Sequence, residues 1–180
     1  MPPAVLQGRK KRDHQSNASL QALGRCRGGF ATKVHILCDG KGHPLTAVLS
    51  AAQEHESQYL PALMDSLQLT EPESGEPIVP AKLAGDKGYR ARWIDQWLLG
   101  RHITPVIPSK KNEDRACRSV EFDKASYQRR SIIEQMIGWL KECRRMATRY
   151  EKLALNYLAM VKLSMIGRYL RLIAPADSSV

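Results

Sequence analysis

The chain has 180 residues, 43% of them hydrophobic, and a formal net charge of +10. That length fits one domain with a real core, and the charge favours a polyanionic partner, nucleic acid above all. No uninterrupted apolar run approaches the roughly 20 residues of a membrane span. The N-terminal "MPPAVLQGRKKRDHQ" lacks the apolar centre of a secretory signal.

Residues 1–28 are basic and poor in periodic apolar positions, which reads as a partly disordered lead. From Phe30 the pattern becomes that of strands. "TKVHILCD" alternates, with Val34, Ile36 and Cys38 on one face, and "HPLTAVLSA" follows "DGKG". Asp-Gly between two alternating runs signals a hairpin, with Asp39 as a turn residue. "HESQYLPALMDSLQL" carries helical spacing through Leu67. A Pro/Gly/Glu-rich loop leads to "AKLAGD", a short strand ending at Asp86. "RARWIDQWLLGR" reads as a helix with Trp93, Ile94, Trp97 and Leu98 inward, and "ITPVIP" as another strand. After a charged loop come two helices, the second apolar on most sides, and a disordered tail at 173–180. The order implies an α/β fold, a mixed sheet flanked by helices on both faces.

The four cysteines, Cys26, Cys38, Cys117 and Cys143, show no zinc-like spacing. They fit free thiols in a reducing cytoplasm.

The stretch "SYQRRSIIEQMIGWLKECRR" holds the strongest functional signal. Read as one helix with Tyr127 at zero, Arg130, Glu134 and Lys141 fall at about 300°, 340° and 320°. They form one stripe beside the apolar face of Ile133, Met136, Ile137 and Leu140. Two readings stay open. Arg130 and Glu134 are a surface ion pair, or Glu134 is one ligand of a catalytic metal. Asp86, at the carboxyl end of a strand where reactive groups gather in open sheets, either caps its own turn or joins Glu134.

Together these residues resemble the DDE transposases of bacterial insertion sequences, in the group marked by Y-x-x-R-x-x-x-E-x-x-x-x-x-x-K. Tyr127, Arg130, Glu134 and Lys141 match that signature without a gap. "LAGDKGYRARWI" is similar to the segment carrying the family's second catalytic Asp, here Asp86. The resemblance runs from about Leu23 to Leu172. It implies a ribonuclease-H-like fold over residues 29–172 and metal-dependent cleavage and transfer of DNA strands at element ends. It implies Mg²⁺ or Mn²⁺, the hard divalent cations that carboxylates hold, with Asp86 and Glu134 as catalytic metal ligands. Tyr127, Arg130 and Lys141 would contact double-stranded DNA. Lys110, Lys111, Arg115, Arg144, Arg145 and Arg149 are either solvated charge or phosphate contacts. A bacterial, nucleoid-associated location is implied with them.

One departure stands out. The family's first catalytic Asp lies on the central strand of its sheet, upstream of "GRCRGG". Here that region holds Asp13 in a basic context, and Asp39 falls in the hairpin turn, so neither replaces it. The expectation is a truncated or split-frame transposase, inactive alone, whose partners besides DNA are a second copy or an upstream-frame product. Its two orphaned strand neighbours would present unpaired backbone. The alternatives are a non-catalytic DNA-binding remnant and a metal-dependent nuclease of the same fold. His55 stands where the family commonly has His-Asp-Ser and this chain has His-Glu-Ser. Helix entry and acid–base chemistry are both open to it. Trp93 and Trp97 read as core, with base stacking as the alternative.

Overall fold

The computed structural model describes residues 21–111, 113, 118 and 120–174. Asp13, Arg115, Cys117, most of the basic lead and nearly all of the 173–180 tail lie outside the described residues.

Strands β1 (Gly24–Cys26), β2 (Gly29–Cys38) and β3 (Pro44–Ala51) form an antiparallel sheet in that order. The β2–β3 hairpin closes as its Asp-Gly pair demands. Asp39 Oδ1 accepts from the backbone N–H of Lys41 and of His43, each at 2.8 Å, and Oδ2 pairs with His43 Nδ1 at 2.8 Å. Gly42 completes the turn at φ +82°, where a side chain would be strained and would press on Ile132. Strand β1 lies inside the stretch read as a lead.

Strands β4 (Lys82–Ala84) and β5 (Thr104–Val106) pair in parallel, joined by the crossover helix α2 (Arg92–Leu99). Among the described residues no ladder connects this pair to the first sheet. The α/β character of the sequence reading holds. Its mixed strand directions are present as two small sheets, one antiparallel and one parallel, and among the described residues a cavity lies between β2 and β4, as a sheet without its central strand would leave it.

Helix α1 (Leu60–Asp65) follows a 3-10 turn at Glu56–Tyr59 and ends short of Leu67. Pro61 in its first turn fits there because no helical N–H is needed at that point. Helices α3 (Lys124–Gln128), α4 (Ser131–Lys141), α5 (Arg144–Ala147) and α6 (Ala154–Ile173) complete the chain. Tyr127 thus belongs to a separate helix from Glu134, which corrects the single-helix reading. The break is a tightened turn at Arg129–Arg130. The amides of Ile132 and Ile133 reach only three residues back, to the carbonyls of Arg129 and Arg130 at 3.1 and 3.0 Å.

Two apolar clusters form on opposite faces of β2. Val34, Ile36 and Cys38 pack with Met136, Leu140, Val161 and Met165 under α4 and α6. Leu37 packs with Leu60, Leu83, Ile94, Leu98 and Ile107. Ile94 and Leu98 are fully buried as expected, but Trp93 is 42% exposed. Trp97 is half-buried and carries the Arg101 guanidinium 3.7 Å above its ring. The inward stripe of α2 admits Asp95 instead of Trp93, because Arg90 and Arg118 close on that carboxylate. Helix α6 buries Tyr157, Val161 and Met165, while Leu155, Leu163, Ile166 and Leu170 stay exposed.

Candidate active site

A cavity of about 590 Å³ lies between β2 and β4 and is closed on one side by α4. Asp86, Arg130 and Glu134 all line it. They arrive from the end of β4 and the start of α4, so the fold joins residues far apart in sequence.

Asp86 caps the 3-10 turn Lys87–Tyr89, accepting from Gly88 N–H at 2.8 Å. One carboxylate oxygen is thereby used by the turn itself. Glu134 sits in the first turn of α4 and accepts from Arg130 Nη2 at 2.7 Å. Its side chain is 62% exposed, so this pair adds little stability. The Arg130 guanidinium also lies 5.5 Å from the Tyr127 ring, which tilts against Phe122. Tyr127, Arg130 and Glu134 therefore remain linked across the helix break, although Tyr127 does not line the cavity.

The other basic residues singled out from the sequence lie elsewhere. Lys141 is exposed at the far end of α4, about 10 Å along the axis from Glu134. Lys110 and Lys111 are exposed in the loop after β5. Arg144 and Arg145 are exposed on α5, where Arg145 pairs with Glu151 at 3.3 Å. Arg149 does something different. It holds the backbone carbonyls of Gln21 and Lys152 and the Thr32 hydroxyl, tying the start of the first sheet to the entry of α6.

Glu56 does not stand out in the sequence as a site residue, yet it lines the same cavity. Its carboxylate and that of Asp86 flank Gly88, where a Cβ would come within 2.5 Å of Glu56 Oε2 and 2.9 Å of Asp86 Oδ1. Lys33 pairs with Glu56 at 3.2 Å. The only trace of this in the sequence is the acidic residue after His55, whose meaning depends on the distant Asp86. His55 itself caps the 3-10 turn, its Nδ1 accepting from Ser57 N–H at 3.3 Å, which is the helix-entry role.

Behind these carboxylates lies a buried polar chain. His35 meets Ser50 Oγ at 2.8 Å and Tyr89 Oη at 3.3 Å, and stacks on Tyr59 at 5.0 Å. Burial, against an opposing pull from Glu56, moves the His35 imidazole below its ordinary value of 6.5. Burial and the nearby Glu56 and Asp86 push the Tyr89 phenol up to about 12, so it stays protonated as a donor. Asp39 also borders the cavity. Burial raises its pKa, but hydrogen bonds from His43 and Lys41 outweigh this and hold it below the usual carboxylate range.

The chain matches the model of the "Transposase DDE domain" family over residues 10–166. It belongs to the DDE transposase family. It is also 31% identical over 133 residues to a Burkholderia cepacia protein named "Putative transposase for insertion sequence element IS402". That match covers 73% of this chain and 59% of the relative, so the chain spans well under two thirds of the relative's length. No solved structure matches it.

DDE transposases act on DNA and generally use divalent metal ions. The donor set here does not fit such an ion by itself. Among the described residues no three His, Cys, Asp or Glu side chains group closely enough to hold one. Asp86 and Glu134 enter from different walls, and each already has a hydrogen-bond partner within its own turn. Among the described residues no helix is long and apolar enough to cross a membrane.

Proposed function

We propose that this chain is part of the catalytic domain of an insertion-sequence transposase, with a ribonuclease-H-like fold over residues 29–172, that binds double-stranded DNA and does not cleave it alone. The observation that carries this reading is the convergence of Asp86 and Glu134 on one cavity from distant elements, with Arg130 beside them. Tyr127, Arg130 and Lys141 supply contacts to the DNA backbone in this reading, and Lys110, Lys111, Arg144 and Arg145 extend the basic surface. Mg²⁺ or Mn²⁺ is the ion the family implies. Asp86 and Glu134 would be two of its ligands, and the set needs a further carboxylate.

Binding to duplex DNA at several salt concentrations, with cleavage of supercoiled and element-end DNA in Mg²⁺ and Mn²⁺, tests this. The expected result is binding that weakens steeply with salt and no cleavage. Flat salt dependence overturns the phosphate-contact reading. Metal-dependent cleavage that Glu134→Gln abolishes overturns the inactivity.

A second reading has one observation in its favour, the exposed Arg130–Glu134 pair. In it the protein is a DNA-binding remnant and Glu134 serves only as Arg130's partner. Calorimetric Mn²⁺ binding that is the same in wild type and Glu134→Gln selects it.

A further inference from the structure

Glu113 is held in the manner of a bound anion. Arg90 Nε donates to Glu113 Oε2 at 2.8 Å and Arg90 Nη2 donates to Oε1, so the guanidinium grips the carboxylate with two of its nitrogens. The Lys110 backbone N–H donates to the same Oε2 at 3.1 Å. The remaining nitrogen, Nη1, donates to Asp95 at 2.9 Å, which fixes the Arg90 side chain whatever its outer edge carries. Asp95 also accepts from Arg118 at 3.1 Å, so its charge is already offset.

The Arg90 side chain is only 6% exposed, and Glu113, at 25%, covers it from outside. A cavity of about 310 Å³ opens here, lined by Arg90, Ala91, Arg92, Lys110 and Glu113. Arg92 and Lys110 bring two further positive charges to it, more than one carboxylate offsets. Hydrogen bonds from Arg90, against an opposing push from burial, hold the Glu113 carboxyl below its ordinary value. A carboxylate and a phosphate present the same pair of oxygens to a guanidinium fork. A phosphate has further acceptor oxygens for the cations that line the rest of the cavity.

We propose that Arg90 and the Lys110 amide form a phosphate cradle, which Glu113 fills in the free protein and a nucleic-acid backbone phosphate fills on binding. Glu113 is then a built-in competitor that swings into solvent when DNA arrives. Arg90 directly follows the 3-10 turn that Asp86 caps. Four residues span at most about 14 Å, so a strand anchored on Arg90 passes close to the cavity of Asp86 and Glu134. The nucleic-acid occupant rests on the DNA binding of the proposed function. The cradle itself rests on the Arg90–Glu113 geometry.

Glu113→Gln in the full 180-residue protein removes the competing charge and leaves the Arg90–Asp95 pair in place. By fluorescence anisotropy, duplex DNA of arbitrary sequence is expected to bind this variant about fivefold or more tightly than wild type. Glu73→Gln makes the same change of charge in the exposed loop between α1 and β4, outside the cavity lining. It is expected to change affinity by less than about twofold. No gain at Glu113, or an equal gain at Glu73, overturns the proposal. The NMR resonance of Arg90 Nε–H reads the cradle directly. It is expected to shift with DNA in both wild type and Glu113→Gln, and with inorganic phosphate more readily in the variant. A shift with phosphate but none with bound DNA assigns the cradle to a free anion and overturns the nucleic-acid occupant. If neither protein binds DNA, the proposed function fails with that occupant, and the phosphate titration alone decides the cradle. An Arg90 signal that phosphate leaves unmoved in Glu113→Gln overturns it.

Discussion

Arg130 and Glu134 are joined by a 2.7 Å hydrogen bond at the rim of the cavity that Asp86 enters from the other side. The pair is exposed and one helical turn apart, so its stabilising effect is small while its placement is specific.

Glu134→Gln is expected to change unfolding free energy by less than about 0.5 kcal/mol, the scale of an exposed i,i+4 pair. Urea denaturation measures this. A loss of about 2 kcal/mol or more, on the order of a buried network, would mean that Glu134 has a structural role its exposure does not indicate.

Asp95→Ala should be far more damaging. The Asp95 carboxylate is buried and accepts from Arg90 Nη1 at 2.9 Å and Arg118 Nε at 3.1 Å. Arg118 also donates to the Ile107 carbonyl at 2.6 Å, which anchors the loop after β5. Removing the carboxylate leaves two buried guanidinium groups with less compensation, at a cost of about 3–5 kcal/mol. Glu113→Ala, which removes a more exposed partner of Arg90, should cost clearly less. Chemical denaturation of both variants decides the order.

Stability should fall as pH drops below 6.5, the ordinary value from which burial lowers His35. In that window the unfolded chain takes up a proton that the folded chain resists, so acid favours unfolding. At higher pH the imidazole is neutral in both states and this contribution is complete. Melting temperatures of wild type and His35→Asn between pH 7.5 and 5.5, about a unit either side of the ordinary histidine value, test the sign. The variant should be less stable at neutral pH and show a shallower decline. Parallel slopes would assign the acid sensitivity to another group.

Replacing Lys110, Lys111, Arg144 and Arg145 together by Ala should weaken DNA binding without selecting among sequences. For every phosphate that goes unneutralised, the slope of log K against log salt becomes shallower by about 0.9. Fluorescence anisotropy at several salt concentrations gives that slope, and an unchanged value would exclude these side chains from the interface.

The parts of the fold set by neighbouring residues are legible in the sequence. Alternation at Val34, Ile36 and Cys38 and the Asp39–Gly40 turn describe the hairpin because strand faces and turn chemistry are local. Trp93 departs from its expected core position because a buried Asp95 depends on Arg118, across a loop, and no periodicity reports that. The break at Arg129–Arg130 carries no Gly or Pro, so the chain looks continuous there. Asp86 and Glu134 can be named as candidates from sequence, and the fold brings them to one cavity. Glu56 cannot, since its neighbour Asp86 comes from another element. The division into two small sheets follows from the resemblance, which leaves a central strand out, and not from any pattern in β2 or β4 themselves.

That division also bears on cooperativity. The clusters around Leu140 and Leu98 have no residue in common and lie on opposite faces of β2. Each can melt with its own midpoint, the cluster of β4, β5 and α2 first, since its sheet has only two short strands. A protein in which both clusters melted as one all-or-none unit would instead give a single sharp transition, so the breadth of the transition, more than its temperature, reports how far the two clusters are coupled.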